Sequence, residues 1–213
     1  MGGRALPQWV LLRKEVRYQM LDDAGEHSNT EPRLARLNDG RLFLRSAEVG
    51  DRAFLYQVFE TTRAKEFAHI GWAPERISAL LAEQFSTQDA YYRRHYPQGR
   101  FDVVMRGQTA IGRLYHYWHG SEVRLIDIAL LPAYRGAGIG GRLVRAVVAR
   151  AAAKALPIVL YVEKNNPVQS LYRRLGFEAV GENGVYLQMR RPAAPYVADR
   201  VEPVDGLTAS DAR

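Results

Sequence analysis

Cysteine is missing from all 213 residues. That excludes disulfides and thiolate catalysis and is neutral about compartment. Long apolar runs are missing too: no stretch approaches the roughly 18 residues needed to span a bilayer. The opening residues, MGGRALPQWVLLRKEVRYQM, hold no apolar block followed by a small-residue cleavage site, so no signal peptide is expected. A cytoplasmic protein with no membrane partner is the expectation. No Gly-Lys-Ser/Thr triplet occurs, which disfavours a nucleotide-triphosphate P-loop. The five histidines show no metal spacing; His116 and His119 would need helical or turn geometry and further ligands, so no metal is expected. There is no internal repeat.

What is present is an ordinary globular composition, 47% apolar, with a net charge of +7 from 30 Lys+Arg against 23 Asp+Glu. The basic residues, mostly arginine, are scattered rather than gathered in one run. That argues for a solvated basic surface over a nucleic-acid interface, and it suits a phosphate-rich ligand. One domain is expected over residues 41–192. Residues 1–40 read as a partly disordered N-terminal extension, and residues 193–213 as a flexible tail.

Periodicity places the elements. Arg41 to Ala47 alternates as a strand, and a helix is expected over 51–67 with Phe54, Leu55, Val58 and Phe59 on one face. Pro74 opens a second helix carrying Ile77, Leu80, Leu81 and Phe85. Strands follow at Phe101–Met105, Ala110–Tyr117 and Val123–Leu131. Ile139, Leu143, Val147 and Ala151 recur every four residues, so a helix runs to about Ala155. Ile158–Val162 is a short buried strand, and Pro167–Leu175 a helix stopped by Gly176. Phe177–Val180 and Val185–Met189 form a closing hairpin. The order is β-α-α-β-β-β-α-β-α-β-β, a mixed α/β layout.

The stretch YRGAGIGGRL, Tyr134 to Leu143, admits two frames. Gly136, Gly138 and Gly141 fit G-x-G-x-x-G, with Glu163 placed 22 residues on to meet a ribose hydroxyl; that would be a nicotinamide-dependent oxidoreductase. Against it, Pro132 to Arg135 separate the loop from its strand, antiparallel-looking strands precede it, and too little chain follows for a doubly wound sheet. The other frame is Arg135-x-x-Gly138-x-Gly140. Glycines at 136, 138 and 140 let the backbone approach a ligand, and the amides of a helix start bind a pyrophosphate. Arg135 and Arg142 flank the loop and could add charge-assisted contacts.

IDIALLPAYRGAGIGGRLV followed by LYVEKNNPVQSLYRRLGF resembles the core of the GNAT family, the acetyl-CoA-dependent N-acyltransferases. Arg135, Gly138 and Gly140 match the family's acyl-CoA loop. Asn166, Pro167, Leu171, Tyr172, Leu175, Gly176 and Phe177 match its second motif. The resemblance covers about residues 41–191. It implies a mixed α+β fold whose central, mostly antiparallel sheet splays open after the fourth strand. It also implies acetyl-CoA as cosubstrate, an amine acceptor that is a small molecule or a protein amine, and edge strands that could pair in a homodimer. Backbone groups of Ile128, Ala129 and Leu130 would hold the pantetheine. The loop of Arg135, Gly136, Ala137, Gly138, Ile139, Gly140 and Gly141 would hold the pyrophosphate. Asn166 would bond the pantetheine or cap its helix. Tyr172 would be the general acid for the departing thiolate.

The base is open between Asp127, Glu122, Glu163 and water. Asp127 is preferred because it sits nearest the reaction centre, with an Arg or Lys ion pair as its purely structural role. On a regular strand Asp127 shares a face with Leu125 and Val123, while Glu122 shares the other with Arg124 and Ile126. Tyr115, His116, Tyr117 and Trp118, with Tyr91, Tyr92 and His95, are candidates to line the acceptor pocket. A non-catalytic acyl-CoA-binding module is the further alternative.

Overall fold

A computed structural model of the chain describes residues 42–67 and 70–193. The expected N-terminal extension, and all of the expected tail except Ala193, lie outside the described residues. The chain runs β1 (Leu42–Ser46), α1 (Arg52–Phe67), α2 (Pro74–His95), β2 (Arg100–Arg106), β3 (Thr109–Trp118) and β4 (Val123–Leu130). It continues with α3 (Ile139–Ala153), β5 (Ile158–Glu163), α4 (Gln169–Arg174), β6 (Glu178–Asn183) and β7 (Tyr186–Arg191). The element order read from periodicity is the order observed.

One seven-stranded sheet, β1-β2-β3-β4-β5-β7-β6, forms the middle layer. Every neighbouring pair is antiparallel except β4 and β5, and those two pair only from Val123 to Leu125 against Ile158 to Leu160. Beyond that point the strands part, and the β4 edge has no further strand partner among the described residues. A doubly wound parallel sheet is therefore excluded, and the dinucleotide frame loses its scaffold.

Helices cover both faces. On one, the α3 stripe of Ile139, Leu143, Val147 and Ala151 packs against Leu114, Leu125, Leu160 and Met189. On the other, α1 and α2 bury Phe59, Phe85 and Tyr92 against Tyr115 and Tyr117. These two apolar layers fix the sheet and hence the gap between β4 and β5. Among the described residues no helix is long and apolar enough to cross a membrane.

The aromatic run on β3 divides between the layers. Tyr115 and Tyr117 join the α1/α2 core and Trp118 joins the α3 core, as alternation along a strand requires. His116 is buried and accepts a 2.7 Å hydrogen bond from Trp118 Nε1. None of Tyr115, His116, Tyr117 or Trp118, nor Tyr91, Tyr92 or His95, lines either cavity at the strand gap. Tyr92, Tyr115, Tyr117 and Trp118 are core instead, Tyr91 packs against that core, and half-buried His95 stacks on Tyr91.

Candidate active site

Where β4 and β5 separate, two cavities open. The larger is a groove of about 680 Å³ running from the end of β4 across the glycine loop to α4. The smaller, about 260 Å³, lies toward α1 and is lined by Phe59, Arg63, Glu66, Arg113, Asp127 and Glu163, among others. Thr62, Ile128, Ala129, Asn166, Val168 and Tyr172 border both. The two spaces thus adjoin along these residues, Tyr172 among them.

The glycine loop forms one wall of the groove. Gly136 has φ +76° and Gly138 φ +75°, in the left-handed region that costs a side-chain-bearing residue about 1–2 kcal/mol. Gly138 is the N-cap of α3, and the first intrahelical bond runs from the Arg142 N–H to its carbonyl, 3.0 Å. The amides of Ile139, Gly140 and Gly141 are left over at the helix start, where the helix dipole favours an anion. A Cβ on Gly140 would meet nothing within 4 Å, so neighbouring protein atoms do not explain that glycine. Glu163, needed at the ribose in the dinucleotide frame, is absent from this groove and lines the smaller cavity.

At the end of β4 the Leu131 N–H donates to the Ile111 carbonyl, 2.9 Å. Strand alternation then turns the polar groups of Ala129 toward β3 and those of Ile128 and Leu130 toward the gap. The Leu130 carbonyl already accepts 2.7 Å from Arg135 Nε. Arg135 also reaches Thr61 on α1, donating from Nη2 to its Oγ1 at 2.9 Å, and burial pushes its pKa down. This guanidinium clamps the loop to β4 and α1. The Arg135 amide is bonded to the Pro132 carbonyl, 3.1 Å.

Tyr172 is held by the way α4 ends. The helix is shorter than the sequence suggests, because Asn166 Oδ1 accepts from the Val168 N–H at 3.0 Å and keeps 166–168 as a turn. At the other end Gly176 takes φ +82°. Its N–H donates to the Arg173 carbonyl and the Phe177 N–H to the Tyr172 carbonyl, both at 3.0 Å. These paired bonds are a Schellman cap, which brings the Tyr172 and Phe177 rings together with centroids 5.7 Å apart. Leu-Gly-Phe in the sequence is therefore the device that aims Tyr172. The Tyr172 side chain is 5% exposed. Burial, aided by the Asp127 charge, raises its pKa well beyond the usual 10.0.

Asp127 lies on the opposite side of β4 from the expectation. The β3–β4 register pairs Tyr115 with Asp127 and His116 with Leu125, so Ile126 is an extra residue in a bulge. Leu125 and Ile128 pack in the α3 core. Ile126 packs in the α1/α2 core, and Asp127 turns to the same side, toward Tyr92. The strict alternation of Asp127 with Leu125 is corrected by that one inserted residue. Asp127 Oδ2 accepts 2.9 Å from Arg113 Nη2 and 3.4 Å from the Tyr92 hydroxyl. Both side chains of the ion pair are under 10% exposed. Glu122, by contrast, pairs with Arg124 at the far end of β4 and borders neither cavity.

Residues 64–177 match the model of the Acetyltransferase (GNAT) family, more than half of the chain. The chain belongs to the GNAT family. A curated relative, mycothiol acetyltransferase of Corynebacterium aurimucosum, is 31% identical over 123 residues, 54% of this chain and 39% of that protein. The chain thus spans well under half the length of that relative. Among solved structures, the PaiA N-acetyltransferase of Thermoplasma acidophilum in complex with coenzyme A superposes with a TM-score of 0.56 at 21% identity. That match covers 71% of this chain and 98% of that one. An acetyltransferase from Thermus thermophilus gives 0.51 at 22%, over 71% and 97%. These structures share the fold, and membership of the GNAT family removes the oxidoreductase reading.

Within this GNAT fold, three polar residues at the site were missed by motif reading. Arg113 sits in the middle of β3, 3% exposed, and also donates from Nη2 to Gln88 Oε1 at 3.3 Å. Gln169 donates to the carbonyls of Glu163 and Lys164, at 2.9 and 2.7 Å, fixing the turn that leads into α4. Arg63 on α1 pairs with Glu66 at 3.1 Å on the wall of the smaller cavity. One signal was available: an arginine inside AIGRLYHYW is a charge in an apolar strand and demands a buried partner.

Proposed function

We propose that this GNAT chain is an N-acetyltransferase that moves an acetyl group from acetyl-CoA to a primary amine. The observation that carries the reading is the meeting of the phosphate-compatible groove and the smaller charged cavity at Tyr172 and the open β4 edge. When bound, acetyl-CoA supplies an acyl thioester, which an uncharged amine can attack. The chain's residues fit that ligand on structural grounds. The groove ends on spare helix amides, its glycine at 140 faces open space, and Ile128 and Leu130 present backbone polar groups to the gap.

Each residue then has a task. Ile139, Gly140 and Gly141 offer N–H groups to a pyrophosphate, with Gly136, Ala137 and Gly138 shaping the loop. Ile128, Ala129 and Leu130 line the pantetheine path, and Asn166 holds the turn that borders it. Tyr172 keeps its proton throughout the neutral range, because burial holds its pKa high, so the proton remains at Oη for a departing thiolate. Asp127, on the wall of the smaller cavity, takes the acceptor's proton directly or through water. Glu163, at the end of β5, is the second reading for that task, favoured by its place on the wall of the same cavity.

Titration calorimetry with acetyl-CoA and with NAD tests the ligand, and free-thiol release over a panel of primary amines tests the reaction. Acetyl-CoA binding with amine-dependent thiol release is the expected outcome. Binding of NAD without response to CoA overturns the reading, and CoA binding with no thiol release above hydrolysis leaves a binding module.

A further inference from the structure

The motif arginine of the loop, Arg135, is already engaged by Leu130 and Thr61. Among the described residues two other arginines line the same groove, Arg145 on α3 and Arg174 at the end of α4, and no carboxylate does. Neither makes a hydrogen bond or ion pair with any described residue. Arg145 folds back over the helix start: a Cβ on Gly141 would lie 3.4 Å from its Nη1 and 3.7 Å from its Nη2. A guanidinium held against the positive end of a helix dipole is unfavourable by itself. It becomes favourable when an anion sits between the two. Arg174 lines the groove from α4, away from the glycine loop in sequence.

We infer that Arg145 and Arg174, not Arg135, are the side chains that grip phosphate groups of coenzyme A in this groove. The inference rests on the acetyl-CoA reading above. Coenzyme A offers two phosphate sources, the pyrophosphate and the ribose 3′-phosphate, and the chemistry of an arginine fork suits either.

The test is titration calorimetry of wild type, Arg145→Gln and Arg174→Gln with CoA and with dephospho-CoA, which lacks the ribose phosphate. Each variant is expected to bind CoA roughly ten- to a hundredfold more weakly, the scale of a lost charged hydrogen bond. A loss that disappears with dephospho-CoA places that arginine on the ribose phosphate; an equal loss with both ligands places it on the pyrophosphate. Either pattern supports the inference. Both variants binding CoA within about twofold of wild type, with unchanged circular dichroism, overturns it. So does an Arg135→Gln variant that alone loses CoA affinity at unchanged thermal stability. Wild type that fails to bind CoA at all overturns the acetyl-CoA reading itself, which separates the two failures.

Discussion

At Tyr172 the ring and the hydroxyl have separable roles. The ring completes the cap of α4 against Phe177, in a residue that borders both cavities, and the hydroxyl is assigned the proton. Tyr172→Phe keeps the first and removes the second. Thermal stability and acetyl-CoA affinity should stay near wild type while amine-dependent thiol release falls about 10²- to 10⁴-fold, the usual share of a general acid. Undiminished release from pH 6 to pH 10 would remove Tyr172 from the chemistry. Asp127 poses the opposite problem, because its carboxylate is bound up with the fold. Asp127→Asn leaves the Arg113 guanidinium buried beside a neutral amide, which should cost about 3–5 kcal/mol in urea unfolding. Glu163→Gln, on a half-buried side chain, should cost far less. Activity measured on the folded fraction then decides the base. A loss in Asp127→Asn beyond its unfolded fraction supports Asp127, and a loss confined to Glu163→Gln assigns the proton to Glu163.

At the scale of elements, the glycine loop offers a contrast the two sequence frames could not. Gly136 and Gly138 are required by positive φ whatever the ligand. Gly140 and Gly141 are not, and they differ in what surrounds them. Gly140→Val adds a side chain into open groove, so CoA binding in calorimetry should be lost while the melting temperature holds. Gly141→Ala places its Cβ in ordinary contact with Arg145 and Leu171, inside α3. It should be neutral or gain up to about 1 kcal/mol from helix propensity. Loss of ligand binding in Gly141→Ala, with Gly140→Val unaffected, would count against the Arg135-Gly138-Gly140 frame. The elements themselves were readable because α3 repeats its apolar residues every four positions and β5 is a short β-branched run, and both patterns survive in the buried layers. Asn166, Gly176 and Phe177 were readable because turns and caps are local chemistry. The bulge at Ile126 was not: an extra isoleucine among isoleucines and leucines leaves no mark on composition, yet it reverses the face of Asp127. Arg113, Gln88 and Tyr92 escaped for a related reason. Their partnership with Asp127 joins α2, β3 and β4, and only the closed sheet brings those segments together.

For the whole molecule, the buried tyrosines give stability a particular pH dependence. Tyr96 and Tyr115, each at most 1% exposed, have their hydroxyl pKa raised by burial to about 12, and Tyr172 is raised further still by the same cause. In the unfolded chain each returns to the usual 10.0. Below that value both states hold the proton and these groups add no slope. Above it the unfolded chain releases protons that the folded chain keeps. Stability should therefore fall as pH rises from about 10 toward 12, by about 1.4 kcal/mol per pH unit for each such tyrosine. They lie on both faces of the sheet, Tyr96 and Tyr115 in the α1/α2 core and Tyr172 in the α3 core, so the loss is spread through the molecule. Urea unfolding at pH 8, 9.5, 10.5 and 11.5 should show a flat region and then a steep decline. Tyr115→Phe, which deletes one of these protons and a hydroxyl that makes no hydrogen bond, should lower the slope of that decline by about a third. A decline equally steep in Tyr115→Phe, or one that begins well below pH 10, would place the alkaline weakness in other groups.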